Sequence, residues 1–312
     1  MKKITLYEKL EASQLVLGLM RINRLTGPEL DNLIAAALDL GINMVDLADI
    51  YGSVYGECEA IFGHSLQRNP AWRDKLIIQS KCAIVMNRER HTFAYDFSKP
   101  YILKSVDDSL KRLGIETLDV LLLHRPDALM EPEEVAEAFD ELESEGKVRH
   151  FGVSNMNSMQ LELLQRGVKQ PLKVNQLQFG PAHTAMLDQA IRANTGWAGS
   201  ENRDGGILDY CRLNGITIQA WSPYRSSVDH ALIIDNPALP KLNQALREVG
   251  NAHGISPMGV VAAWISRHPA GIQTIAGTTR PDRLAEIASG MDLRLSREEW
   301  YKIYIANDRE LP

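Results

Sequence analysis

Asp46 and Tyr51 stand five residues apart in the stretch Met-Val-Asp-Leu-Ala-Asp-Ile-Tyr-Gly, residues 44–52. Ile42 to Val45 is a short, mostly apolar run that reads as a buried strand ending at Asp46, while Tyr51 beside Gly52 reads as loop. A carboxylate and a phenol at one strand end suit acid–base chemistry. A phenol loses its proton near pH ~10, so a tyrosine acting as an acid near neutrality needs a neighbouring cation to favour its anionic form. Lys81, directly after Ile77-Ile78-Gln79-Ser80, supplies one, and beside Asp46 its charge is paired rather than buried alone. His124, after Val120 to Leu123, is a further group able to hydrogen-bond the same oxygen. Taken singly, Asp46 reads as a turn or cap, Lys81 as a solvated strand end and His124 as a core histidine. At successive strand ends of one fold they read as a shared site.

The elements that must bring them together alternate along the chain. Apolar runs at Leu15–Leu19, Ile42–Val45, Leu76–Gln79, Leu118–Leu123, Val148–Val153, Leu172–Asn175, Ile216–Ala220 and Ile272–Ala276 read as eight strands. Helical spacing follows at Gly27–Leu40, Glu57–Leu66, Tyr101–Leu113, Pro132–Glu145 and from Ser158, and Pro281 opens a helix after the eighth strand. Eight β/α units without a domain break predict an α/β fold, a (β/α)8 TIM barrel spanning residues 1–312 as one domain, with chemistry at the carboxyl ends of its strands. Lys3 to Leu6 alternates polar and apolar residues, as an N-terminal β-hairpin plugging the opposite end would. Two long irregular segments, Gln178–Gly206 and Ser222–Pro237, are expected as loops on the C-terminal face.

Composition narrows the partners. The chain has 312 residues, 45% hydrophobic and 24% charged, with net charge −6 and no basic run, which argues against nucleic acid and against an anionic membrane surface. Small molecules are the expected partners, and a monomer or weak oligomer is the expected state. Tyr7, Glu8, Lys9 and Glu11 interrupt any signal-like apolar core, and no apolar run approaches ~18 residues. The three cysteines, Cys58, Cys82 and Cys211, lack metal spacing and suit a reducing compartment, so the expectation is a cytoplasmic protein without metal.

Over nearly the whole chain the sequence resembles the aldo-keto reductase family, whose Asp, Tyr, Lys and His match Asp46, Tyr51, Lys81 and His124 in order and spacing. Within it, Leu123-His124-Arg125-Pro126-Asp127 and the stretch Gly146 to Asn155 are most similar to bacterial YdhF-like oxidoreductases. The resemblance implies a carbonyl reductase using a nicotinamide cofactor without metal. Tyr51 would protonate the carbonyl oxygen as hydride arrives, Lys81 and Asp46 would tune it, and His124 would orient the substrate. A regulatory module of the same fold that binds the cofactor with little turnover is the alternative, and the lack of an extra segment at either terminus favours the enzyme. A barrel glycosidase would need two flanking carboxylates, and only Asp46 is well placed.

With that cofactor in view, Ser154, Asn155 and Gln176 offer groups complementary to a carboxamide, with Ser222 beside them, and Trp221 offers a flat face for the nicotinamide. Gly277-Thr278-Thr279-Arg280-Pro281-Asp282-Arg283 places Gly277, Thr278, Arg280 and Arg283 at a helix amino terminus, an arrangement that binds phosphate. Many family members have Lys-Ser where this chain has Gly277-Thr278. Both arginines remain, so NADPH is expected over NADH. No Gly-x-Gly-x-x-Gly is present to suggest a Rossmann site.

Overall fold

The structure, a computed structural model, describes every residue except 88–91, 197–198, 227–228, 308, 310 and 312. Two short strands, β1 (Lys3–Leu6) and β2 (Leu10–Ser13), form an antiparallel hairpin, and β3 (Leu15–Gly18) begins the barrel. There follow α1 (Gly27–Asp39), β4 (Met44–Asp46), α2 (Glu57–Arg68) and β5 (Ile77–Cys82). A rim hairpin, β6 (Ile84–Asn87) and β7 (Thr92–Tyr95), precedes α3 (Lys99–Leu113), β8 (Leu118–Leu123), α4 (Pro132–Ser144), β9 (Val148–Ser154) and α5 (Ser158–Gly167). The chain continues through β10 (Leu172–Gln178), α6 (Ala185–Ile191), α7 (Ile207–Leu213), β11 (Thr217–Trp221), α8 (Pro240–His253) and α9 (Pro257–Ser266). It ends with β12 (Gln273–Ala276), α10 (Pro281–Ser289) and α11 (Arg297–Ile305).

The strands β3, β4, β5, β8, β9, β10, β11 and β12 pair in sequence order, all parallel, and β12 closes on β3. This is the eight-stranded barrel that the alternation of runs predicts. Parallel strands covered on both faces read as continuous apolar runs, which is why they are visible in the sequence. Helices start where local chemistry meets their unpaired N–H groups: Thr26 and Glu29 form a capping box on α1, Asn157 and Gln160 another on α5. At the end of β3, Gly18 is required sterically, since a Cβ there would meet Ile275 Cγ2 at 2.9 Å.

Inside the barrel the side chains change character from floor to rim. The floor is apolar: Val16, Met44, Ile77, Val120, Leu122, Val174 and Ile275 pack around Leu6 and Tyr7 of the hairpin, with Leu6 1% exposed. The Tyr7 hydroxyl donates to the carbonyl of Phe151 at 2.6 Å, fastening the plug. Above this floor lies a layer of amides. Gln176 pairs in register with Gln219, Gln219 with Gln273, and Asp46 with Gln79. Gln79 Nε2 donates to Gln219 Oε1 at 2.9 Å across the barrel, Gln219 Nε2 returns a bond to Gln79 Oε1 at 3.1 Å and reaches Gln273 Oε1 at 3.0 Å, and Gln273 Nε2 donates to the Ser13 carbonyl at 2.8 Å. Each amide left unmet at such depth would cost about 1–3 kcal/mol, so the layer holds as a set.

Three sequence boundaries shift. β4 starts at Met44 rather than Ile42 and ends at Asp46 as expected, β5 runs one residue past Lys81 to Cys82, and Gln176 lies two residues inside β10. The segment Gln178–Gly206 is not wholly irregular, since it contains α6, while Ser222–Pro237 is tied by a bridge between Arg225 and Leu232. Residues 197–198 and 227–228 of these two segments lie outside the described residues. Among the described residues no helix is long and apolar enough to cross a membrane.

Candidate active site

The alternation of side chains along β5 leads from Gln79 in the amide layer to Lys81 on the same face, nearer the rim. Lys81, two residues beyond Gln79 on β5, is 0% exposed. All three of its ammonium hydrogens are used: Nζ lies 2.8 Å from Asp46 Oδ2, 2.6 Å from the Leu47 carbonyl and 3.2 Å from the Tyr51 hydroxyl. Asp46 Oδ1 in turn accepts from Gln79 Nε2 at 2.6 Å and Gln176 Nε2 at 2.9 Å. The loop carrying Tyr51 is pinned to the strands beneath it: Leu47 N–H donates to the Gln79 carbonyl at 2.9 Å, Asp49 N–H to the Lys81 carbonyl at 3.1 Å, and Gly56 N–H to the Asp49 carbonyl at 2.6 Å. The ring of His124 meets that of Tyr51 edge-on, 5.9 Å between centroids.

The electrostatics correct one expectation. Burial raises the Tyr51 phenol above the ordinary tyrosine value, and the opposing pull of Lys81 offsets this only in part. Lys81 favours the tyrosinate as its position in the sequence suggests, but desolvation is the larger effect here. Lys81 itself is pulled down by burial, but Asp46 and Tyr51 outweigh that and hold it above the ordinary lysine value. Burial, then Lys81 and Arg125, push His124 well below the ordinary histidine value, so its ring is neutral near pH ~7. Its Nδ1 is buried without a partner among the described residues.

A cavity of about 590 Å³ opens over these groups, and Asp46, Tyr51, His124, Ser154, Asn155, Gln176, Trp221, Ser222, Gly277, Thr278, Arg280 and Arg283 all border it. Most of the residues singled out in the sequence therefore share one hollow; Lys81 lies beneath it. The amide of Gln176 is already committed to Asp46 and, at 3.1 Å, to Gln219 Oε1, so it is not free to serve as a donor in the cavity as its sequence position suggests. Ser154 Oγ donates to the Gln176 carbonyl at 2.9 Å and accepts from Asn155 Nδ2 at 2.7 Å. Asn155 and Ser222 adopt left-handed backbone, φ 59° and 49°, just past β9 and β11. The Trp221 indole N–H donates to Asn155 Oδ1 at 3.0 Å, which fixes the plane of the ring.

At the helix end the structure separates the two arginines. Arg280 is clasped by Asp282, its Nε donating to Asp282 Oδ1 at 3.0 Å, whereas Arg283 makes no ion pair among the described residues. Three cavity arginines escaped the sequence reading: Arg21, Arg24 and Arg225. Arg21 Nη1 donates to the Gly277 carbonyl at 2.8 Å, and a Cβ at position 277 would lie 3.1 Å from that nitrogen. Burial most of all, then the charges of Arg225 and Arg24, hold Arg21 below the ordinary arginine value. Arg21 follows the end of β3 by three residues, so inspection of that strand end, as of the others, would have found it.

A family model described as the aldo/keto reductase family matches residues 14–308. The chain is 34% identical to a 6-dehydroglucose reductase of Novosphingobium aromaticivorans, over 94% of this chain and 91% of that one. It is also 34% identical to the oxidoreductase YdhF of Escherichia coli, over 94% and 93% of the two chains. Among solved structures, an aldo/keto reductase from Klebsiella pneumoniae in complex with NADP and acetate superposes with a TM-score of 0.71 at 21% identity, over 97% of this chain and 94% of that one.

Proposed function

The chain belongs to the aldo/keto reductase family of oxidoreductases, and from that premise we propose that it reduces an aldehyde or ketone to the alcohol with NADPH, Tyr51 delivering the proton to the carbonyl oxygen. The observation that carries this reading is the 3.2 Å contact between Lys81 Nζ and the Tyr51 hydroxyl at the floor of the cavity, with Lys81 anchored on the other side by Asp46. The same reading treats residues 1–312 as one domain.

The roles follow from that geometry. A phenol raised by burial is fully protonated near pH ~7 and is therefore present as the acid. Lys81 steadies the phenolate left behind, which lowers the cost of giving the proton up. Asp46, held by two glutamine amides, keeps Lys81 in register with Tyr51. His124 is neutral, and with Nδ1 unpartnered its proton is assigned to Nε2, where it donates to the substrate oxygen.

The residues fit a dinucleotide phosphate. Of the six arginines lining the cavity, only Arg280 makes an ion pair among the described residues, leaving Arg21, Arg24, Arg125, Arg225 and Arg283 for an anion. Arg21, Arg24, Arg225 and Arg283, with Gly277, Thr278 and the start of α10, would hold the phosphates. Trp221, Asn155, Ser154 and Ser222 would hold the nicotinamide, which when bound supplies the hydride. Gln176 would serve Asp46 first.

The relative named 6-dehydroglucose reductase makes a sugar aldehyde one reasonable member of a substrate panel. The test is steady-state oxidation of NADPH with aliphatic, aromatic, sugar and acidic aldehydes. Turnover with at least one class at about 1 s⁻¹ or faster is expected. Tight NADPH binding with no turnover across the panel would instead favour a regulatory cofactor-binding module.

A further inference from the structure

The hollow over the barrel continues past Trp221. A second cavity of about 490 Å³ lies over the ends of β9 and β10, and Arg125, Asn155 and Trp221 stand in the walls of both. Arg125 follows His124 in sequence and borders both cavities, which places it beside the reacting end of the site. It lies 5.6 Å from the centre of the Trp221 ring, whose orientation is fixed by the bond to Asn155. An aromatic face attracts the cation without supplying a counter-charge. No carboxylate and no hydrogen-bond acceptor reaches its N–H groups among the described residues, although a guanidinium stays charged and offers five donors.

The rest of this second cavity is poor in negative charge. Asp204 borders it, but its Oδ1 already accepts from Gln189 and from the backbone N–H groups of Gly206 and Ile207, the last two at 3.0 and 3.2 Å. Gln160 spends its carbonyl oxygen on the Asn157 N–H at 3.0 Å and leaves its amide donors over. A neutral hydroxylated tail would meet these donors yet leave the Arg125 charge uncompensated. A carboxylate meets both.

Building on the carbonyl-reductase reading, we propose that the substrate carries a carboxylate several bonds from its carbonyl and that Arg125 receives it, making the enzyme a reductase of oxo-acids. The carbonyl carbon gains hydride from NADPH, the oxygen gains the proton of Tyr51, the C=O becomes CH–OH, and the carboxylate is unchanged. Arg125 sits where it would position the far end of such a molecule across Trp221.

The experiment compares kcat/KM for succinic and glutaric semialdehydes with their methyl esters, which present the same aldehyde without the charge. Native enzyme is expected to prefer acid over ester by roughly ten- to a hundredfold, the value of one charge-assisted contact, with most of the difference in KM. Arg125→Met should bring the ratio to about one, and Arg125→Lys should keep part of it. Because each ratio is taken within one protein, partial misfolding of a variant cancels. Equal kcat/KM for acid and ester, a preference that survives Arg125→Met, or better reduction of neutral sugar aldehydes than of either acid would overturn the proposal and leave the reductase reading standing. Failure to reduce acids, esters and neutral aldehydes alike would remove both.

Discussion

Arg280 and Asp282 hold each other at the start of α10, the guanidinium Nε 3.0 Å from Asp282 Oδ1, while Arg283 one residue further on faces the cavity without a carboxylate partner among the described residues. A 2′-phosphate adds roughly two negative charges, so on this account Arg283 is the group that distinguishes NADPH from NADH. Arg283→Ala should weaken NADPH binding by about tenfold or more and barely change NADH. Arg280→Ala should have a smaller effect, because its charge is already met. Fluorescence quenching titrations with both cofactors measure this; equal affinity of the native protein for NADH and NADPH would defeat the phosphate argument.

Lys81 offers a test in the reverse direction, alcohol oxidation, where Tyr51 must act as the base. Burial already raises the phenol and Lys81 opposes that rise. Lys81→Met removes the opposing cation, so the limb of the pH–rate profile that rises toward alkaline pH should move upward by about one unit or more. A limb that stays in place would uncouple the two residues.

A buried carboxyl beside the site governs stability rather than chemistry. Asp49 is fully buried, its Oδ2 accepts from the Tyr55 hydroxyl at 2.5 Å and its Oδ1 has no partner among the described residues. Burial, opposed by the Tyr55 bond and reinforced by Glu59, pushes its pKa up to about 7. The folded protein therefore keeps a proton that the unfolded chain loses near pH ~4, so stability falls as pH rises between these values, by about 4 kcal/mol in all. Asp49→Asn should remove that component. Thermal unfolding at about pH 5 and about pH 8 should show a smaller loss of Tm for the variant than for the native protein; parallel losses would contradict the assignment.

Much of this was readable from residues alone, for a physical reason. Strands such as Leu118–Leu123 are buried on both faces and so announce themselves as apolar runs. Asp46, Lys81 and His124 sit at or beside the ends of those runs, with Tyr51 in the loop after one of them, and polar groups so placed stand out. The amide layer did not stand out, because Gln79 and Gln219 look like ordinary polar residues until the barrel brings positions 140 apart to 2.9 Å. Nor does spacing reveal that Arg280 turns back to Asp282, or that Gln176 turns inward to Asp46. The rise of the Tyr51 pKa was misjudged because desolvation depends on packing, which a string of residues does not contain.

The central claim is that the Tyr51 hydroxyl is the proton donor to the carbonyl. The most direct measurement is single-turnover reduction of the best aldehyde by Tyr51→Phe, with NADPH affinity determined on the same preparation. Tyr51→Phe should lose about a hundredfold or more in the chemical step while binding NADPH within about twofold of native. A variant that reduces the aldehyde at the native rate while binding NADPH normally would contradict it.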